Sequence, residues 1–274
     1  MKHEYRRLVA LRQQEAQALE RDLFCIELVQ HCTDLIDELQ RERGLGQLVL
    51  STTAESYAPA LREQIQCSTE AEQALRRQLR QLGQVPWAAE SGLSELTRLG
   101  LALLNSPGLA DLVPMRRGML LMCCSREQIF DAYCTLMAQL LELVETVGQA
   151  MSDPERAHGL ATLLSLMWCK EYSGQERASG AGLYAAGRHD ARIWQRIDQL
   201  IEAQQRCASE FISRAGPGAR KCLKDSLQFE TQAELEVLRQ QLADSPDQAP
   251  LDPGLSELWF RSCSRRMNEQ IGRA

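Results

Sequence analysis

Residues 29–43, VQHCTDLIDELQRER, carry the pattern that decides the fold. Their apolar side chains recur in alternating steps of three and four, at Val29, Cys32, Ile36 and Leu39. That spacing places them on one face of an α-helix, because a helix has about 3.6 residues per turn. The next step along this face falls on Arg43. The pattern therefore predicts an arginine at a position that faces the core.

A second stripe of the same kind runs through the other half of the chain and also leads to an arginine. Its members, in the same alternating steps, are Leu160, Leu163, Met167, Lys170 and Gly174. The next step falls on Arg177, and Ala181 and Tyr184 continue the stripe. Residues 41–46 (RERGLG) and 175–180 (QERASG) also share a Glu, an Arg and a final Gly in register. This repeat hints at an internal duplication.

The composition and the spacing of the prolines predict an all-α protein. Hydrophobic residues make up 44% of the chain and aromatic residues 5%, and the abundant Leu, Gln, Glu, Arg and Ala favour helices. We find no stretch with the period-two alternation of a strand. We expect about eight helices, near residues 4–50, 54–83, 90–105, 114–150, 154–186, 190–214, 218–243 and 253–272. Short connections suggest two antiparallel four-helix bundles, residues 1–150 and 151–274.

Local signals mark several helix ends. Residues 152–155 (SDPE) offer a capping side chain and then a proline suited to the first helical turn. Thr52 and Glu55 have the spacing of a capping box. Gly187 followed by Asp190 indicates that one helix stops and another starts. These positions are therefore predicted to bound helices.

The charge balance argues against a general nucleic-acid binder. The net charge is -6 and the isoelectric point is about 5.4, whereas nucleic-acid binders show a basic footprint that neutralises phosphates. Arg261, Arg265 and Arg266 form the best local basic cluster, but a solvated helix face is the simpler interpretation. We therefore expect no direct nucleic-acid partner.

The sequence shows no targeting segment and no membrane span. The stretch LVALRQQEAQ after the first residues is too polar for a secretory signal. No apolar run reaches the roughly 18 residues that a spanning helix needs. We expect a cytoplasmic protein without a membrane partner.

The sequence also lacks the usual signals for catalysis, metals or cofactors. Its ten cysteines form no CxxC pair, and in a cytosolic chain they should be mostly reduced. The histidines show neither metal-ligand nor catalytic-triad spacing; they are His3, His31, His158 and His189. No glycine-rich phosphate loop is present. We expect no enzymatic activity, no metal and no cofactor.

The two core-facing arginines are the unusual feature of the chain. A buried guanidinium is costly unless its charge and its N–H groups find partners. It can reach water along its own stem, pair with a carboxylate such as Glu42, Glu171 or Glu176, or face a cavity that holds an anion. Nearby glycines allow close helix approach or leave room beside the backbone. Two facing guanidinium groups would suit a small planar oxyanion. The residues alone leave these alternatives open.

The segments around both arginines resemble a known family. Residues 39–44 (LQRERG) and 170–178 (KEYSGQERA) are similar to the two characteristic segments of the NIT domain, the nitrate- and nitrite-sensing domain of bacterial transcription antiterminators and receptors. Residues 259–265 (WFRSCSR) resemble its closing helix. The resemblance spans about residues 15–272, and the second segment is its most specific part.

The resemblance implies an all-α sensor domain built from two helical bundles. It implies that Arg43 and Arg177 bind nitrate or nitrite, with Gly44 and Gly174 lining or shaping the pocket. Antiterminators of this type carry an RNA-binding ANTAR domain after the sensor, and this sequence does not. It would thus be a stand-alone sensor that signals through a separate protein effector, with a homodimer as a further candidate assembly.

A second hypothesis keeps the fold and removes the ligand. In that interpretation the chain is a helical adaptor or scaffold, and its arginines form internal salt bridges. The two hypotheses differ in whether the arginines already have carboxylate partners.

Overall fold

The computed structural model describes residues 2–51, 57–85, 93–226 and 230–271. Within these ranges the regular structure is helical, apart from one isolated β-bridge between Arg188 and Pro250. The prediction of an all-α fold is confirmed. The helices are α1 (Lys2–Ser51), α2 (Ala58–Leu82), α3 (Ser94–Leu104), α4 (Pro107–Ala110), α5 (Leu112–Leu120), α6 (Arg126–Ala150), α7 (Pro154–Ala185), α8 (Ala191–Arg214), α9 (Pro217–Ser226), α10 (Glu230–Asp244) and α11 (Leu255–Ile271).

The described ranges hold more helices than the eight that the sequence predicted. The helix predicted at 114–150 is interrupted, because α5 ends at Leu120 and α6 begins only at Arg126. In between, Met122 adopts a left-handed φ of 52°, and the Ser125 hydroxyl accepts a hydrogen bond from the backbone N–H of Gln128. The continuous apolar pattern hid this break. The helix predicted at 218–243 is represented by α9 and α10, and residues 227–229 between them lie outside the described residues.

Other local signals had the predicted effect. The Asp153 carboxylate accepts a hydrogen bond from the N–H of Glu155 at 2.9 Å, where α7 begins. Gly187 has a φ of 66°, and Asp190 then caps α8 by accepting hydrogen bonds from the first backbone N–H groups of that helix. Thr52 and Glu55 lie outside the described residues.

The helices pack around two larger apolar clusters and a small third one of Leu166, Phe211, Ala215 and Leu223. The first cluster joins α1, α2, α3 and α6, and the second joins the end of α7 to α8, α10 and α11. Helix α7 belongs to both, because its Leu160, Leu164 and Met167 pack into the first cluster. The division into two bundles, residues 1–150 and 151–274, stays a prediction.

Most members of the predicted stripes are buried, while Val29 and Lys170 are half-buried and Leu163 is exposed. Cys32, Ile36 and Leu39 of α1 are buried, and both stripe arginines are buried as well. In α7, however, Leu163 is 44% exposed while its neighbour Leu164 is buried. The prediction for Leu163 is wrong because α7 packs against different helices along its length. The buried positions therefore do not follow one straight line along the helix.

The first part of α1 stands apart from the rest. Residues 5–17 are exposed on every side of the helix, so this segment extends beyond the packed body. None of the helices in the described ranges combines the length and the apolar character that crossing a membrane requires.

Candidate functional site

The two predicted arginines meet where α1 packs against α7. Arg43 of α1 is fully buried, and Arg177 of α7 is 8% exposed. Each guanidinium lies against a glycine of the opposite helix. A Cβ atom on Gly174 would lie 2.7 Å from Nη2 of Arg43, and one on Gly44 would lie 3.1 Å from Nη2 of Arg177. Both glycines therefore leave space for the guanidinium that crosses over from the other helix.

Arg43 is paired with a buried carboxylate. Its Nη1 donates to Oε1 of Glu171 at 2.6 Å and its Nη2 to Oε2 at 3.2 Å. The side-chain amides of Gln40 and Gln175 donate to the same carboxylate. Burial is the largest single influence and works to lower the pKa of Arg43, but the charges of Glu171 and Cys134 and the hydrogen bonds to both together raise that pKa. For this arginine, the alternative of an internal salt bridge with Glu171 is what the structure shows.

Arg177 is buried without such a partner. Its Nη1 donates to the hydroxyl of Ser264 at 3.0 Å and its Nη2 to the carbonyl oxygen of Gln40 at 3.2 Å, while Nε has no partner. Among the described residues no carboxylate oxygen lies within ion-pair distance of it. Burial, followed by the charge of Arg43, lowers the pKa of Arg177 to about 10. It is a buried cation whose partners are all neutral.

The other two candidate carboxylates are engaged elsewhere. Glu42 binds Arg116 of α5 at 2.9 and 3.1 Å, and Glu176 binds Arg239 of α10 twice at 2.8 Å. Each of these glutamates directly precedes one of the crossing arginines in the sequence. In both halves of the repeat, the glutamate therefore binds an arginine of another helix, α5 or α10. The arginine that follows the glutamate in the sequence lies at the contact between α1 and α7.

The cluster therefore carries one excess positive charge. Two guanidinium groups face a single carboxylate, Glu171, in a buried position. Three polar atoms there have no partner, namely Nε of Arg43, Nε of Arg177 and Oε1 of Gln40. Buried polar atoms normally find hydrogen-bond partners, so unpaired ones in a native fold indicate a missing ligand or water. The arrangement is suited to one small monovalent anion.

A cavity of 240 Å³ lies beside the cluster. Gln47 of α1 and Ala178 of α7 line it, and each follows one of the two arginines closely in sequence. The ring of Phe130 lines it too, with the guanidinium carbon of Arg43 5.5 Å from the ring centroid. The cavity thus lies against the aromatic ring that contacts Arg43.

The structure brings all four residues named from the sequence together. Their role in binding a ligand stays a prediction. Sequence reasoning overlooked Gln40, although it lies three residues before Arg43 and hence on the same helical face. Two more residues of the site lie on α11. The ring centroid of Phe260 is 4.8 Å from the Arg177 guanidinium, and Ser264 accepts a hydrogen bond from it. In the sequence, both residues are recognisable only as part of the segment that resembles a closing helix.

Comparisons with known proteins agree on the kind of protein. The profile of a family described as nitrate and nitrite sensing matches residues 34–271. A nitrate regulatory protein of Klebsiella oxytoca is 28% identical over 239 residues, which is 87% of this chain and 57% of the relative. The structure of the NasR transcription antiterminator superimposes with a TM-score of 0.84 at 24% identity, over 98% of this chain and 71% of that chain. That likeness concerns the fold.

These comparisons correct one expectation. The expectation of no direct nucleic-acid partner is wrong, because the matched structure is that of a transcription antiterminator and the matched relative is a regulatory protein. The net charge is a sum over the chain and excludes only a uniformly basic surface. The chain also spans only 57% of the length of that relative, so its charge balance does not represent the whole of such a protein.

Proposed function

The chain belongs to the nitrate and nitrite sensing family, whose profile matches residues 34–271, and from this premise we propose that it binds nitrate or nitrite between Arg43 and Arg177. One observation carries the proposal. Arg177 is a buried cation with no carboxylate partner among the described residues, beside a second arginine whose charge is already neutralised. A bound monoanion would make this cluster neutral.

The chemistry of the cluster favours a small planar oxyanion. A guanidinium presents several N–H donors in one plane, and this geometry suits planar acceptors with more than one oxygen. In our proposal the anion accepts hydrogen bonds from the unpartnered Nε atoms of Arg43 and Arg177. Gly44 and Gly174 keep the backbones of α1 and α7 clear of these side chains.

We propose that binding is transmitted through the packing of α1, α7 and α11. Arg177 lies on α7 and already contacts α11 through Ser264 and Phe260. An anion that bridges the two arginines would favour one placement of these helices over others. The size of such a switch is limited by the difference in anion affinity between the two placements.

The substitution Arg177→Met tests the proposal. Loss of a charge-assisted hydrogen bond costs about 1.5–3 kcal/mol, so nitrate affinity should fall roughly 10- to 150-fold in isothermal titration calorimetry. Without nitrate, the variant should be at least as stable as the wild-type protein, because it lacks the unpaired buried charge. Titrations with nitrite, chloride and sulfate establish the ligand preference.

The matched control is Arg98→Met, because Arg98 is an exposed arginine on α3 that pairs with Glu95 in its own helix. Its nitrate affinity should equal that of the wild-type protein. The proposal fails if the wild-type protein releases no heat with millimolar nitrate, or if Arg177→Met binds nitrate unchanged. A protein with no nitrate response in which Arg177→Met only alters stability would support the helical scaffold.

The lowered pKa of Arg177 predicts how binding depends on pH. The anion requires the charged guanidinium, so nitrate affinity should be constant around neutral pH and fall as the pH rises through about 10. The stability of the free protein changes with pH in the opposite direction. Because the folded state disfavours the charged guanidinium, Arg177 lowers the stability at neutral pH, and this destabilisation is relieved as the pH rises above about 10. Calorimetric titrations and thermal melts across the alkaline range should show both trends, and Arg177→Met should show neither.

A further inference from the structure

A second cavity, of 540 Å³, lies between α7, α8, α10 and α11. Its size falls in the range of about 300–1,000 Å³ that small-molecule sites occupy. Helix α8 lines it with the apolar side chains of Trp194, Ile201 and Ile212, while α10 and α11 contribute Arg239 and Arg266. The apolar side chains of α8 thus form one wall of a lining that also contains the two arginines and polar groups such as Gln205 and Gln240.

Arg266 has hydrogen-bonding capacity that the fold does not use. Its side chain is 13% exposed, and its buried Nε and Nη1 atoms have no hydrogen-bond partner. Nη1 lies 3.7 Å from Oε2 of Glu176, which is longer than a hydrogen bond. Arg266 thus lines the cavity, and two of its donors have no partner in the fold.

The carboxylate nearest to Arg266, that of Glu176, already accepts hydrogen bonds from other groups. Nε and Nη2 of Arg239 each donate to Glu176 at 2.8 Å, and the Gln204 amide donates to it at 2.7 Å. Two more carboxylates lie near the cavity, but Glu236 is 63% exposed and Asp198 is also exposed. In the interior, two guanidinium groups therefore share one carboxylate.

We propose that this cavity binds a small organic carboxylate, with the carboxylate on Arg266 and an apolar body against Trp194 and Ile201. Charge-assisted hydrogen bonds to a carboxylate would supply the partners that Arg266 lacks. The cavity is more than twice as large as the one beside Arg43, which is 240 Å³. A four-atom anion would leave most of it empty and its apolar wall uncovered. The ligand therefore differs in class from the anion proposed for Arg177.

Benzoate and its uncharged amide, benzamide, test this site in calorimetric titrations of the full chain. Benzoate is expected to bind, and benzamide at least about tenfold more weakly, since it lacks the charge that pairs with arginine. Arg266→Met should weaken benzoate binding by at least about tenfold. The control is Arg265→Met, because Arg265 is the neighbouring residue, is 49% exposed and pairs with Glu234. This control should bind benzoate as the wild-type protein does.

The same variants keep this inference separate from the proposed function. Arg266→Met should retain nitrate binding, which also shows that it is folded, and Trp194→Ala should weaken benzoate binding through loss of the apolar wall. The inference is overturned if benzoate gives no heat at millimolar concentration, if benzamide binds equally well, or if Arg266→Met binds benzoate unchanged. Loss of benzoate binding in Arg177→Met alone would assign benzoate to the other site and would also overturn it.

Discussion

Arg43→Met is expected to lower the free energy of unfolding by about 3–5 kcal/mol, the usual cost of leaving a buried charge without its partner. Arg43 is fully buried, and it donates two hydrogen bonds to Glu171, which is also buried. After the substitution that carboxylate would keep only the amide donors of Gln40 and Gln175. Urea unfolding followed by circular dichroism measures the loss.

A double substitution separates this pairing from simple packing. Arg43→Met combined with Glu171→Met removes both charges, and it should be more stable than Arg43→Met alone. If both proteins lose the same stability, the carboxylate is not what makes the single substitution costly. The contrast with Arg177→Met is informative too, since that change removes a buried charge that has no carboxylate partner.

Gly180→Ala is expected to destabilise the fold by about 1–3 kcal/mol, as overpacking of a dense core does. A Cβ atom at this position would lie 2.1 Å from Cε2 of Trp259. Trp259 is fully buried, and its indole N–H donates to the carbonyl oxygen of Glu176 at 3.3 Å. The tryptophan must therefore move out of its position and strain this hydrogen bond.

The matched control lies in the same helix. Gly159 is exposed, and a Cβ atom there would meet nothing within 4 Å. Gly159→Ala should therefore stabilise the protein by about 0.4–1 kcal/mol through the unfolded state. Thermal melts of the two variants should shift in opposite directions. Equal shifts would mean that Trp259 does not restrict this position.

The sequence predicted the buried arginines because burial follows from a local period. Steps of three and four identify one face of a helix whatever lies opposite, and Arg43 and Arg177 both continue such a face. The same logic misplaced Leu163, since the period does not reveal where a long helix exchanges one neighbour for another. It also missed the break at Ser125, because apolar residues continue across it.

The sequence could not show which carboxylate pairs with which arginine. Glu42 and Glu176 are chain neighbours of the crossing arginines, yet consecutive residues on a helix point about 100° apart. Each therefore faces a different helix and binds an arginine there. Glu171 reaches Arg43 only because α1 and α7 cross at this level, and that depends on tertiary packing. The local periods contain no information about it.

The exposed start of α1 can move without disturbing the core. Residues 5–17 are exposed, and at a rise of about 1.5 Å each they reach about 20 Å beyond the packed body. A bend of about 15° where this segment leaves the packed body would swing its far end through roughly 5 Å. The buried residues of the same helix, which begin with Asp22 and Cys25, would keep their positions during such a movement.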